Sequence, residues 1–150
     1  MTHEDKELLL KDLCTRIPYG VVCKTNDARK FGTLISVERS KGEMLVYIDH
    51  GRNEAEEFDI NEGDIVKPYL RPMSSMTEEE KGEYFLITER FYDVYTTNDT
   101  PAYTGERMVF VDDVEELIDF YNSHHFDYRG LIEKALAIEI TEENNPYNNK

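Results

Sequence analysis

VVCKTNDARKFGTLISVERSKGEMLVYIDHGRNEAEEFDINEGDIVKPY, residues Val21 to Tyr69, decides the fold. It holds five short runs rich in β-branched and aromatic residues: VVCKT (21–25), FGTLISVE (31–38), EMLVYID (43–49), EAEEF (54–58) and DIVKPY (64–69). NDARK, RSKG, HGRN and NEG separate them as turn signals. Short strands joined by tight turns predict a small, strongly bent five-stranded antiparallel barrel of the Src-homology or Sm type. Gly32, inside the second run, marks the bend such a barrel needs.

Upstream, EDKELLLKDLCTR (4–16) reads as a helix, with Leu9, Leu10, Leu13 and Ile17 at helical spacing and Cys14 beside them. Acids in its first turn and Arg16 in its last suit the helix dipole. Ile17-Pro18-Tyr19-Gly20 stops it, because the residue before a proline avoids helical geometry. Downstream, Pro68 and Pro72 keep residues 67–73 extended or turned. Thr77 and Glu80 have the spacing of a capping box. Tyr84, Ile87, Phe91 and Tyr95 then predict a helix from 78 to 89 or beyond, weakened by Gly82. MVFV (108–111) reads as one more short strand. Asp112 or Asp113 caps a helix striped by Val114, Leu117, Ile118 and Tyr121, with Glu115 and Glu116 placed for a capping box. NSHHFD breaks that helix, and Asp127 caps a last one carrying Leu131, Ile132, Ala135 and Leu136. The expectation is an α+β fold in one compact unit: an N-terminal helix (1–18), the barrel (19–72), two to three helices packed on it (73–140) and a flexible tail (141–150).

The chain has 32 acidic and 17 basic residues, a net charge of -15. That balance disfavours direct nucleic-acid binding, which needs a basic footprint, and equally an anionic membrane surface. Residues 108–150 hold ten acids and three bases, so any surface built to meet a basic protein lies there. No apolar run is long enough to span a bilayer, and the first residues lack the apolar core of a secretion signal. Cys14 and Cys23, nine residues apart, form neither a disulfide framework nor a zinc motif. The expectation is a cytoplasmic protein with two reduced, buried thiols.

One stretch invites a chemical reading. His124, His125 and Asp127 offer part of a two-histidine, one-carboxylate metal set, with His50 or His3 as distant completions. Each residue has a structural use too. Asp127 serves as a cap, Phe126 fixes the chain's entry angle, and the histidines sit at a helix C-terminus. Cysteine–histidine pairing lacks a supporting spacing, and the single glycines form no phosphate-cradling loop. Tyr19, Tyr47, Tyr69 and Phe31 could line a base-stacking face, against which the acidity argues. The sequence therefore assigns no catalytic residue and no cofactor.

Three blocks, KELLLKDLCTRIPYGV, IVKPYLRPMSSMTEEEK and HHFDYRGLIEKALA, resemble segments of a family of short proteins of gut Bacteroidetes and their phages or integrated elements. The resemblance implies a phage or mobile-element context and a glycine where Ala135 stands. It carries over no activity. Three function classes remain. A non-catalytic protein-interaction module would present Tyr69, Leu70, Arg71, Pro72 and Met73 on the proline-held strap. An acidic nucleic-acid mimic, blocking a host DNA-binding enzyme, would align Asp112, Asp113, Glu115, Glu116, Asp119 and Glu133. A metal-dependent enzyme would use the histidine pair and Asp127.

Overall fold

The computed structural model describes residues 1–26, 31–51, 54–96 and 111–148. Helix α1 (His3–Arg16) starts at a capping box between Thr2 and Asp5. It buries Leu9, Leu10 and Leu13 against the sheet and ends in a single 3₁₀ turn, Ile17–Tyr19, closed by Gly20 at φ 65°. Strands β1 (Val22–Thr25), β2 (Phe31–Ser40), β3 (Glu43–Asp49), β4 (Ala55–Asp59) and β5 (Val66–Leu70) follow in the predicted order. β1 pairs antiparallel with both β2 and β5, while β3 lies between β2 and β4. A 3₁₀ turn, Ile60–Glu62, connects β4 to β5.

The sheet has six strands rather than five, in the order β4-β3-β2-β1-β5-β6. β6 (Ile138–Glu139) lies parallel to Tyr69–Leu70, which makes the sheet mixed. Two residues carry too little pattern to be read as a strand; burial of the preceding segment, with Leu131, Leu136 and Ala137, brings them to the β5 edge.

Two apolar cores result. The larger joins α1, the sheet and the 131–137 segment through Leu13, Leu34, Val46, Ile48, Leu70 and Leu131, all nearly inaccessible. The smaller, Ile87, Phe120 and Phe126, lies where α2 (Glu78–Thr96) meets α3 (Val111–Ser123). α2 opens as predicted: Glu80 N–H donates to Thr77 Oγ1 at 3.1 Å and Thr77 N–H to Glu80 Oε1 at 2.8 Å.

Three expectations need correction. First, Asp127 caps no helix, because residues 127–137 form turns. Its carboxylate accepts from Leu131 and Ile132 N–H at 2.8 and 2.9 Å, but Gly130 and Ala135 adopt left-handed φ of 76° and 59°, which a right-handed helix excludes. The leucine spacing reflected burial, not helical period. Second, Cys14 is exposed, and only Cys23 is buried. Third, Asp112 and Asp113 lie inside α3 instead of capping it. Arg16 stands in the last turn of α1 as expected, and is fully buried there beside Asp12. The strand expected over 108–111 falls, apart from Val111, outside the described residues.

Ala135 closes its turn with N–H bonds from Ala135 to Ile132 O and from Leu136 to Leu131 O. That geometry suits glycine and strains alanine. Ala135→Gly is expected to raise unfolding stability by about 0.5–1 kcal/mol, measured by urea denaturation.

Candidate interaction site

The strap Tyr69–Met73 and the junction His124–Asp127, far apart in sequence, meet in space. Arg71 forms a parallel bridge with Phe126. Its N–H donates to His125 O at 2.8 Å, and Asp127 N–H donates to Arg71 O at 2.8 Å. The Arg71 guanidinium lies 4.4 Å from the Phe126 ring centroid and clamps Glu80 through two bonds of 2.7 Å. Bidentate pairing of this kind fixes both partners, and with the Thr77 N–H it holds the Glu80 carboxyl down at about 2 against the cost of its burial. His124 adds to the same knot, with Nδ1 3.0 Å from Glu80 and Nε2 3.6 Å from Glu83.

His125 takes a different part. α3 ends with His125 N–H bonded to Asn122 O and Phe126 N–H to Tyr121 O, which puts His125 at the left-handed position, φ 60°. Its ring stacks on Tyr147 at 3.8 Å between centroids and 9° between planes. The Tyr147 hydroxyl donates to Tyr69 O and accepts from Val22 N–H, both at 2.9 Å, and so bridges β1 and β5 from the tail.

The metal reading finds no geometric support in these placements. His124 engages two glutamates, His125 stacks on a ring, and Asp127 faces backbone N–H groups. His50 pairs with Glu56 and His3 with Glu7. Among the described residues, no group of three histidine, cysteine or acidic side chains is placed to hold an ion. Both thiols are pushed up, Cys23 strongly by its complete burial and the exposed Cys14 by the partial covering of its sulfur. Of the proposed base-stacking face, Phe31 and Tyr69 meet edge-on at 6.3 Å, whereas Tyr19 donates to Asp119 and Tyr47 reaches Glu38.

The strap is also less available than its prolines implied. Leu70 is completely buried, which removes it from any contact surface. Arg71 is committed to Glu80, and Met73 packs against the smaller core. Tyr69 and Pro72 keep partial exposure. Among the described residues, exposed apolar side chains of α2 lie elsewhere: Phe85 and Leu86 are 64% and 66% accessible. Beside them is a cleft of about 550 Å³ lined by Tyr84, Phe85, Thr88 and Glu89. Exposed Glu78, Glu79, Glu83 and Glu89 share this helix, and Glu115, Glu116 and Asp119 are exposed on α3, which packs against it. Apolar periodicity did not single out Phe85 and Leu86, because they lie off the Tyr84–Ile87 stripe.

No family model, curated protein or solved structure matches this chain. Among the described residues, no helix is long and apolar enough to cross a membrane.

The junction sets an acid limit on the fold. Burial, then Arg16, His124 and Arg71, lower the His125 ring to about 4 from 6.5. The unfolded chain therefore binds a proton that the native chain refuses between those values, and stability falls as pH drops through that window. With the ring's remaining contact with water discounted, the loss is roughly 1–2 kcal/mol. Glu80 works at lower pH: its contribution is present above 4.5 and disappears as pH falls toward about 2. Urea titrations at pH 7, 5.5 and 4 should show the first loss in the wild type and not in His125→Asn, which retains a residue tolerant of the left-handed turn.

Proposed function

We propose that this chain is a non-catalytic protein-interaction module of a phage or mobile element, and that its contact surface is the α2–α3 hairpin. The supporting observation is the adjacent pair Phe85 and Leu86, exposed on a helix that also exposes Glu78, Glu79, Glu83 and Glu89. Exposed aromatic and aliphatic anchors ringed by charge are what a partner buries first. The surrounding carboxylates select a basic partner and speed its approach. The strap, first choice from the sequence, keeps only Tyr69 and Pro72 as peripheral contacts in this reading. We also infer that β1 to β5 wrap as the small bent barrel. Support comes from β1 serving both β2 and β5, the register shift after Leu34 in β2, and the close approach of Gly32 to β3.

The test is affinity capture from the native host with wild-type protein and with Phe85→Asp/Leu86→Asp. Both changes are on the surface and leave folding intact. The wild type should retain a specific basic protein that the variant holds at least about tenfold more weakly. Equal capture by both would refute the assignment. The acidic-mimic reading draws on Glu115, Glu116 and Asp119, which recur along α3 at helical spacing. Glu133 lies in the 131–137 turns instead, and Asp119 is engaged by Tyr19. Capture of a nuclease that DNA displaces would favour the mimic.

A further inference from the structure

A second feature, remote from the hairpin, has the opposite charge. Between the start of α1, β5 and the 131–137 turns is a cavity of about 310 Å³. Met1 and Ile65 give it accessible apolar surface above the buried Leu9, Val66 and Leu136, and Lys67 and Lys134 line it with them. Its volume is at the lower end of small-ligand pockets.

The lysines are unusual for this chain. Acids exceed bases by fifteen, yet among the described residues neither Lys67 nor Lys134 has a carboxylate within ion-pair distance. Lys24 stands directly opposite Lys67 across the β1–β5 pair, equally without an ion pair there. Like charges facing each other across strands destabilise a sheet. The carboxylate that does line the cavity, Asp5, is already engaged in the capping box with Thr2. Lys134 also acts electrostatically on Asp5, so the cavity sets two lysines and an apolar lining against one carboxylate.

We propose that this cavity binds a small organic anion, a carboxylate on an apolar body. Its chain lies against Met1 and Ile65, and its charged end is held by Lys67 and Lys134. The apolar walls exclude a fully hydrated inorganic anion, and the lysines discriminate against an uncharged analogue of equal length. The site is independent of the α2–α3 surface and stands or falls apart from it.

The experiment uses the untagged full chain and three probes: octanoate, octanol and inorganic phosphate. Binding is followed by calorimetry and by methyl and amide shifts in NMR spectra. Octanoate should bind with Kd on the order of 1 mM or tighter, shifting Met1 and Ile65. Octanol should bind at least about tenfold more weakly, since it forfeits a charge-assisted contact. Phosphate should not perturb the walls. Lys67→Met and Lys134→Met should each weaken octanoate about tenfold and leave octanol unchanged; unchanged amide dispersion verifies that both variants fold. Equal affinity for octanoate and octanol, indifference to both substitutions, absence of octanoate binding, or shifts confined to the Phe85 region would each overturn the assignment.

Discussion

Asp12→Ala is expected to cost about 3–5 kcal/mol, a large part of the stability of a domain this size. Asp12 and Arg16 are both inaccessible to solvent. The carboxylate accepts from Arg16 Nε at 2.7 Å, from Arg16 Nη2 at 3.1 Å and from Arg129 Nη1 at 3.0 Å. Arg16 Nη2 also donates to Phe126 O at 2.8 Å, so α1 is fastened to the strand-like turn that follows α3. Arg129 reaches Thr15 Oγ1 and the Tyr128 hydroxyl, which donates in turn to Asn122 Oδ1. Removing Asp12 leaves a buried guanidinium with its charge uncompensated. The desolvation already suffered is then no longer offset. Replacing both partners at once, Asp12→Leu with Arg16→Met, should lose less than Asp12→Ala, because the buried guanidinium goes with its carboxylate and only the partly exposed Arg129 is left without Asp12. Urea unfolding of the wild type, both single variants and the double variant measures the coupling. Additive losses would show that the two side chains act independently, contrary to this account.

That network also explains which parts of the molecule the sequence disclosed. Strands β1 to β5 were legible from their β-branched and aromatic runs and the turn signals between them; burial alternates along β1 and β5 but not along β2, β3 or β4. The Thr77–Glu80 capping box was legible because it is local. What failed was long-range. Arg16 is the last-turn base the sequence shows, but its enclosure by Phe126 and Asp12 was not legible. The strap and the HHFD stretch read as separate candidates, yet one parallel bridge makes them a single joint. Leu131 and Leu136 are apolar because a turn buries them, and Gly130 was the local sign that no helix continued there. Tyr147, in a tail whose composition predicts flexibility, is fixed by two hydrogen bonds and a stacked ring. Of the candidate interaction surface, the acidity was legible, whereas the exposure of Phe85 and Leu86 depended on how α2 docks.

Gly32→Ala is expected to lose about 3 kcal/mol, for a reason of space and not of backbone freedom. A Cβ added at residue 32 would lie 2.5 Å from the carbonyl oxygen of Asp49 and 2.6 Å from Ile48 Cγ2. The first atom is backbone, held by the β2–β3 ladder at Thr33↔Asp49. The second belongs to a side chain with no accessible surface. Neither can withdraw without sliding one strand against the other, and β2 is also tied to β1 at the Cys23↔Gly32 pair. Pairing the change with Ile48→Ala should not rescue it, since the carbonyl clash persists and a cavity is added. Gly82→Ala supplies the contrast. That glycine lies within α2 with nothing within 4 Å of an added Cβ, so the same substitution should stabilise by about 1 kcal/mol through helix propensity alone. Opposite signs from one chemical change, read by thermal and urea unfolding, isolate the close approach of two strands as the cause. Equal small effects at both positions would mean that β2 and β3 are not held at this distance.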